Sequence, residues 1–98
     1  MDIKIQPIHF SMSQQLEEFI NKKVAKLERV HDGIITADVT LKVVKPETSN
    51  NKEAEIRVQV PNGDFFASKV TDTFEESVDT ALQAIEKQLI KSKEKVRQ

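Results

Sequence analysis

The chain has 98 residues, the size of one domain, and its 38% hydrophobic and 32% charged content favours a two-layer fold with wide solvated faces. It holds no cysteine, which excludes a disulfide framework and thiolate chemistry. No stretch approaches the roughly 20 apolar residues of a membrane span, and the start MDIKIQPIHF lacks the basic and apolar regions of a signal peptide. We therefore expect a soluble, cytoplasmic protein with no membrane partner.

The first third of the chain predicts a strand followed by a helix. The strand covers residues 3–10, and Pro7 indicates an edge or bulged strand because proline donates no hydrogen bond to a ladder. Either Ser11 or Ser13 can cap the helix that follows. Its apolar residues recur at helical spacing: Leu16, Phe19, Ile20, Val24 and Leu27. The helix is predicted to run to about residue 30, and the Asp-Gly pair at 32–33 to end it.

The middle of the chain predicts three sequential antiparallel strands. The first covers residues 35–44 and points one set of side chains inward: Ile35, Ala37, Val39, Leu41 and Val43. The second points inward Ala54, Ile56, Val58 and Val60. Asn62-Gly63 predicts a type I′ hairpin turn, whose two central residues need positive φ, before a return strand at 65–71. Because Phe65 and Phe66 are adjacent, the sequence does not decide which face of the return strand points inward.

The last quarter of the chain predicts a long helix. Asp72 fits a capping position, with Glu75 three residues later. The apolar stripe then consists of Phe74, Val78, Ala81, Leu82, Ile85 and Leu89. The order β-α-β-β-β-α predicts an α+β fold, in which one mostly antiparallel four-stranded sheet carries both helices on one face. Double-stranded-RNA-binding domains have a similar arrangement, which is an analogy of fold alone.

Residues suited to catalysis or metal binding are few. His9 follows a strand and His31 follows a helix, so no predicted element brings them together. His31-Asp32 is explained as a helix end and a turn better than as a catalytic dyad. The sequence holds no His-x-x-x-His pair and no glycine-rich phosphate loop. We therefore expect no enzyme activity, no cofactor, no metal and no small-molecule substrate.

Positive charge is concentrated at the C-terminal end. The twelve residues KQLIKSKEKVRQ hold five cations and one anion, a net charge of +4, although the whole chain carries −1. On a helical wheel, one flank of the first helix carries Lys22, Lys26 and Arg29, with Lys23 beside the apolar stripe. The second helix carries one line of Lys87, Lys91 and Lys95 and another of Lys93 and Arg97. Two such flanks side by side would form a cationic ridge or groove.

Two explanations of this charge stay open at this point. The helix macrodipole accounts for cations in the last helical turn, but its effect fades within that turn. A polyanion-binding surface accounts for the cations further back, because lysines bind phosphate as point charges. Since the chain has no Trp and no Tyr, a protein that stacks single-stranded bases is disfavoured. The pattern then favours structured RNA that is bound by shape and backbone.

Across essentially all 98 residues the chain resembles the ribosome hibernation factors, the family of the short hibernation promoting factor and the ribosome-associated inhibitor, once called sigma-54 modulation proteins. The resemblance is carried by FINKKVAKLERV (19–30), DVTLKVVK (38–45), FFAS (65–68), DTFEESVDTALQAIEKQL (72–89) and KSKEKVR (91–97). The order and spacing of these segments are specific, whereas no single segment is.

The resemblance implies a single domain, residues 1–98, that binds the small ribosomal subunit, its 16S rRNA and nearby ribosomal proteins, in the channel of messenger and transfer RNA. It would block both RNAs, inhibit translation and promote paired, inactive ribosomes. The family's C-terminal dimerisation domain is not expected, and a monomer is expected away from the ribosome. The basic positions that match are Lys22, Lys23, Lys26, Arg29, Lys87, Lys91, Lys93, Lys95 and Arg97, with Lys42 and Lys45 at a strand end.

One stretch departs from this basic pattern. Residues 72–86 hold five anions and no cation, so RNA contact is expected only in the second half of the last helix. The alternative function is a protein-binding adaptor, which would act through that acidic stretch or through the open face of the sheet. Salt dependence separates the two, because about five phosphate contacts would give a log–log slope of several units.

Overall fold

The computed structural model describes residues 1–45, 47 and 49–96, with side chains described up to Ser92. The elements in chain order are β1 (Asp2–Pro7), α1 (Gln14–Ala25), a 3₁₀ segment (Lys26–Arg29), β2 (Thr36–Val43), β3 (Lys52–Val60), β4 (Gly63–Thr71) and α2 (Phe74–Val96). The predicted order β-α-β-β-β-α and the α+β class are therefore confirmed.

The strands form one sheet in the order β1-β2-β3-β4. β1 pairs with β2 in parallel, with Ile3 opposite Ala37, whereas β2, β3 and β4 are antiparallel neighbours. The sheet is thus mixed but mostly antiparallel, as predicted. Pro7 is the last residue of β1, which is an edge strand, so the missing N–H of the proline costs little.

α1 begins after Ser13, whose side-chain oxygen accepts a hydrogen bond from the N–H of Leu16 at 3.1 Å. Of the two predicted caps, Ser13 is the one in use. The α-helix ends at Ala25 and continues as the 3₁₀ segment Lys26–Arg29. The predicted helix to residue 30 is therefore present, with a tighter last turn of the kind common at helix ends.

α2 begins at Phe74, one residue later than the cap at Asp72 requires. The hydroxyl oxygen of Thr73 accepts from the N–H of Glu76 at 3.1 Å and caps the helix. The prediction of Asp72 as the cap is wrong. Its carboxylate instead accepts from the backbone N–H of Asn50 at 2.8 Å, which ties the loop before β3 to the start of α2.

The hairpin between β3 and β4 has a two-residue loop of Pro61 and Asn62, because Val60 pairs with Gly63. Neither Asn62 nor Gly63 has a positive φ, so the predicted type I′ turn is wrong. The cause is Pro61, whose ring holds φ near −65° at the first central position, where a type I′ turn needs a positive value.

The core lies between one face of the sheet and both helices. The residues no more than 1% exposed are Ile20, Val24, Ala37, Val39, Leu41, Ala54, Ile56, Val58, Ser77, Val78, Ala81, Ile85 and Leu89. Phe65 packs against this core, whereas Phe66 is 46% exposed, which settles the inward face of β4. Ile35 and Val43 were predicted to be inward but are 52% and 39% exposed, because they lie just before and at the end of β2.

Candidate nucleic-acid interface

The cations of α1 and the 3₁₀ segment divide into exposed and paired residues. Lys22, Lys26 and Arg29 are exposed. Lys23 is half-buried, its ammonium nitrogen lies 3.5 Å from a carboxylate oxygen of Asp79 on α2, and it lies 5.6 Å from the ring centre of Phe19. Its stem therefore covers apolar surface as predicted, but a carboxylate already shares its charge.

The two helices border a groove, here called the helix groove. Its residues are Lys23, Lys26, Leu27, Arg29 and Val30 on one wall and Asp79, Leu82, Gln83 and Glu86 on the other. Three of the predicted cations are thus brought together. The second wall is acidic, however, so the groove is not the uniformly cationic one expected from two basic flanks. The reason is position along α2: the groove reaches only to Glu86, and the lysines of α2 begin at Lys87.

The second basic surface is on α2, beyond the helix groove. Lys87 and Lys91 are exposed and border a shallow depression together with Gln88 and Ile90. Leu89, which is 0% exposed, holds this part of the helix on the core. The side-chain amide of Gln88 also donates to the backbone carbonyl of Phe66 at 3.0 Å. The two lysines are therefore presented from a helix that is fixed to the sheet, at the i, i+4 spacing that places them on one side.

Three predicted cations lie further along the chain. Lys93 and Lys95 belong to α2 by their backbone, and their side chains lie outside the described residues. Arg97 lies outside the described residues as well. Their part in the second basic surface stays a prediction.

The remaining two predicted cations lie elsewhere. Lys42 is on the face of the sheet opposite the helices, with its ammonium nitrogen 3.1 Å from Glu53 and 3.5 Å from Glu55. The hydrogen bond and the negative charge of Glu53 raise the pKa of Lys42, so its charge is held but largely neutralised. Lys45 follows β2 with a φ of 49°, at the end of the sheet where α2 begins. The structure therefore does not join Lys42 and Lys45 to the helix cations.

Several residues of this region were missed by the sequence reasoning. Gln83 was not singled out, and Asp79 and Glu86 were recognised only as members of the acidic stretch 72–86. These three residues face the cations of the opposite wall, and their spacing of four and three residues along α2 was the available signal. Gln88 was missed because its role depends on the β4 edge, which no local pattern predicts. Phe66 was missed because the sequence did not decide whether Phe65 or Phe66 points into the core.

The histidines fit structural roles. The Nδ1 atom of His31 accepts a hydrogen bond from the N–H of Gly33 at 3.0 Å, as expected of a residue at a helix end. His9 is exposed and has a φ of 61°. Within the described part of the chain, no group of three or more His, Cys, Asp or Glu residues is placed to hold a metal ion. In that same part, no helix has the length and apolar character needed to cross a membrane.

Comparisons with known proteins agree with one another. The model of the family described as sigma 54 modulation protein / S30EA ribosomal protein matches residues 3–97. A ribosome hibernation promoting factor of Escherichia coli is 30% identical over 98 residues, which is 100% of this chain and 99% of that protein. One of Pseudomonas putida is 27% identical over 95 residues, with 97% and 89% covered. A Bacillus subtilis relative, named ribosome hibernation promotion factor, is 29% identical, and the chain spans 50% of its length.

Two solved structures share the fold. The N-terminal domain of Thermus thermophilus Protein Y has a TM-score of 0.78 and 25% identity, covering 93% of this chain and 98% of that one. A ribosomal subunit interface protein from Coxiella burnetii has a TM-score of 0.84 and 24% identity, covering 95% and 98%. The arrangement of four strands and two helices is therefore shared with proteins of this kind.

Proposed function

The chain belongs to the sigma 54 modulation protein / S30EA ribosomal protein family, and we propose that it is a ribosome hibernation factor. Residues 1–98 form one domain of this factor, which acts in the cytoplasm and not as an enzyme. It binds the small ribosomal subunit and stops translation. The family match over residues 3–97 carries this proposal, and the names of the relatives support it.

The charge distribution supports RNA as the partner. The exposed cations of the helices lie at two separated places: Lys22, Lys26 and Arg29 on α1 and the 3₁₀ segment, and Lys87 and Lys91 on α2 beyond the helix groove. Lys93, Lys95 and Arg97 extend the second place by sequence. Lysine and arginine contacts to phosphate fix the position of a protein on RNA without reading its bases. A net charge of −1 limits indiscriminate binding to other nucleic acids.

The acidic wall of the helix groove directs where the RNA lies. Asp79 and Glu86 repel phosphate from the centre of the groove, and Asp79 also pairs with Lys23. The RNA backbone is therefore held at the two basic places and excluded between them. A folded RNA that presents phosphates at two separated points fits this arrangement better than one continuous strand does.

Inhibition follows from occupancy alone. A folded domain with a long axis of 48 Å that is held on ribosomal RNA in the channel takes the space of messenger and transfer RNA. Neither RNA then binds, translation stops and the inactive ribosome is preserved, in part as paired particles. Lys42 and Lys45 lie away from the helix cations, so the occupancy mechanism does not require them.

The proposal is tested by competition on purified small subunits programmed with message. The protein, at one copy per subunit, is expected to prevent binding of labelled transfer RNA, as measured by filter retention. Retention of the protein on the same subunits is measured in parallel. Unchanged transfer RNA binding on subunits that carry the protein would refute the occupancy mechanism.

A further inference from the structure

The face of the sheet opposite the helices carries an exposed aromatic residue. Phe66 is 46% exposed and Val70, on the same face of β4, is 42% exposed. The Arg57 guanidinium lies 5.6 Å from the ring centre of Phe66, and the two residues are paired across β3 and β4. Aromatic and arginine side chains are enriched in protein-binding sites.

The charge of this face is negative. Its register brings together five carboxylates, Asp2, Asp38, Glu53, Glu55 and Asp64, and three cations, Lys4, Lys42 and Arg57. Two of the cations are already paired, because Lys42 contacts both Glu53 and Glu55 and Arg57 lies 3.1 Å from Asp64. A polyanion is therefore disfavoured on this face, and a cationic partner is favoured.

The β4 edge beside this face offers backbone groups. The carbonyl of Phe66 points outward, since it accepts from the side chain of Gln88. In an antiparallel strand the outward direction recurs at every second residue, so the N–H and C=O groups of Ser68 and Val70 also point outward. Residues 68–70 are exposed. An edge of this kind pairs with an added extended segment.

We propose that the open sheet face and the β4 edge together bind an extended cationic segment of a partner protein. The segment pairs as a strand with Ser68 and Val70 and places alternate lysine or arginine side chains over the sheet. Glu55 lies on β3, directly across from the small Ser68 of β4. Because neighbouring strands lie about 4.8 Å apart, a long cationic side chain on the added strand reaches over Ser68 to Glu55. A second copy of the chain is a poorer occupant, because its own open face carries the same negative charge.

This inference is separate from RNA binding, since the helix cations lie on the other side of the sheet. The test is an NMR titration of the labelled full chain with a short, end-blocked peptide of alternating lysine and valine. We expect amide shift changes in residues 66–71 and in the neighbouring β3. The same peptide with N-methylated backbone amides is expected to bind far more weakly, because those amides cannot donate to the edge.

Matched variants locate the contact. Glu53→Gln/Glu55→Gln is expected to weaken the peptide about tenfold, whereas Glu17→Gln/Glu75→Gln, with the same charge change on exposed helix positions, leaves it unchanged. Four results would overturn the proposal: no shift changes in the wild-type titration, changes confined to residues 72–86, equal binding of the N-methylated peptide, or changes on the open face caused by a short uridine RNA. Spectra that change with protein concentration alone, at the β4 edge, would assign the edge to a second copy instead.

Discussion

Substitution of Asp79 by asparagine tests how the helix groove meets RNA. Asp79 supplies a negative charge to the groove and holds the ammonium group of Lys23 at 3.5 Å. Their side chains are 44% and 34% exposed, so the pair contributes only about 0–1 kcal/mol to folding. The Asp79→Asn protein is therefore expected to fold normally, with Lys23 released from its partner.

The expected gain in affinity of Asp79→Asn for RNA follows from counterion release. One added phosphate contact makes the slope of log affinity against log salt steeper by about 0.7–0.9 units. Measured at about 0.1 M salt, that change corresponds to roughly five- to eightfold tighter binding. Lys23 is the residue that gains the contact, because removal of Asp79 leaves it beside Lys26 on the same wall of the groove.

The assay is binding of labelled protein to purified small ribosomal subunits at several salt concentrations. Glu75→Gln is the matched control, because Glu75 is exposed on the same helix, outside the groove, and its replacement changes the charge equally. The control is expected to keep the wild-type slope. If Asp79→Asn has the slope and affinity of Glu75→Gln, the groove does not meet phosphate, and the reasoning about its acidic wall is wrong.

Three further predictions concern stability. Leu89→Ala, at a residue 0% exposed, is expected to lower the free energy of unfolding by about 2–5 kcal/mol in urea denaturation; a loss below about 1 kcal/mol would contradict its role in fixing α2. Ser77 is 0% exposed, and its hydroxyl donates to the backbone carbonyl of Lys52 on β3 at 2.6 Å. Ser77→Ala is therefore expected to lower the free energy of unfolding by about 1–3 kcal/mol. The exposed control Ser68→Ala is expected to change it by no more than about 0.5 kcal/mol. Glu53 is the chief cause of the raised pKa of Lys42 in the folded protein. The stabilising contribution of Lys42 is therefore complete below the pKa of the unfolded state and is lost as pH rises through the pKa of the folded state. The difference in unfolding free energy between wild type and Lys42→Gln should shrink above about pH 10.4, and a constant difference would contradict the ion pair.

Much of the fold could be predicted because the apolar periodicities are clean. The alternation in β2 and β3 and the helical stripe of α2 each specify one buried face, and those faces form the core. The errors lie where one residue decides local geometry. Pro61 overrides the turn that Asn62-Gly63 favours. Thr73 takes the cap from Asp72 because the helix begins one residue later.

The candidate site was less predictable because it depends on how the elements pack. A helical wheel assigns Lys26 and Arg29 to a flank and Lys23 to the edge of the apolar stripe, but which part of α2 faces them is set by tertiary structure. The acidic residues opposite them therefore could not be paired from the sequence. The pairing of Lys42 with Glu53 required the β2–β3 register, which is set by the hairpin as a whole.

The central claim is that the helix cations, and not charge in general, hold the small ribosomal subunit. The most direct test is co-sedimentation of wild type, Lys87→Glu/Lys91→Glu and the control Lys4→Glu/Lys69→Glu with purified small subunits. Both variants change the charge equally at exposed lysines, but only the first alters α2. We predict that the α2 variant binds at least about 25- to 60-fold more weakly at about 0.1 M salt, the loss of two phosphate contacts, and that the control pellets like wild type. Equal binding by all three proteins, or equal loss in both variants, would contradict the account.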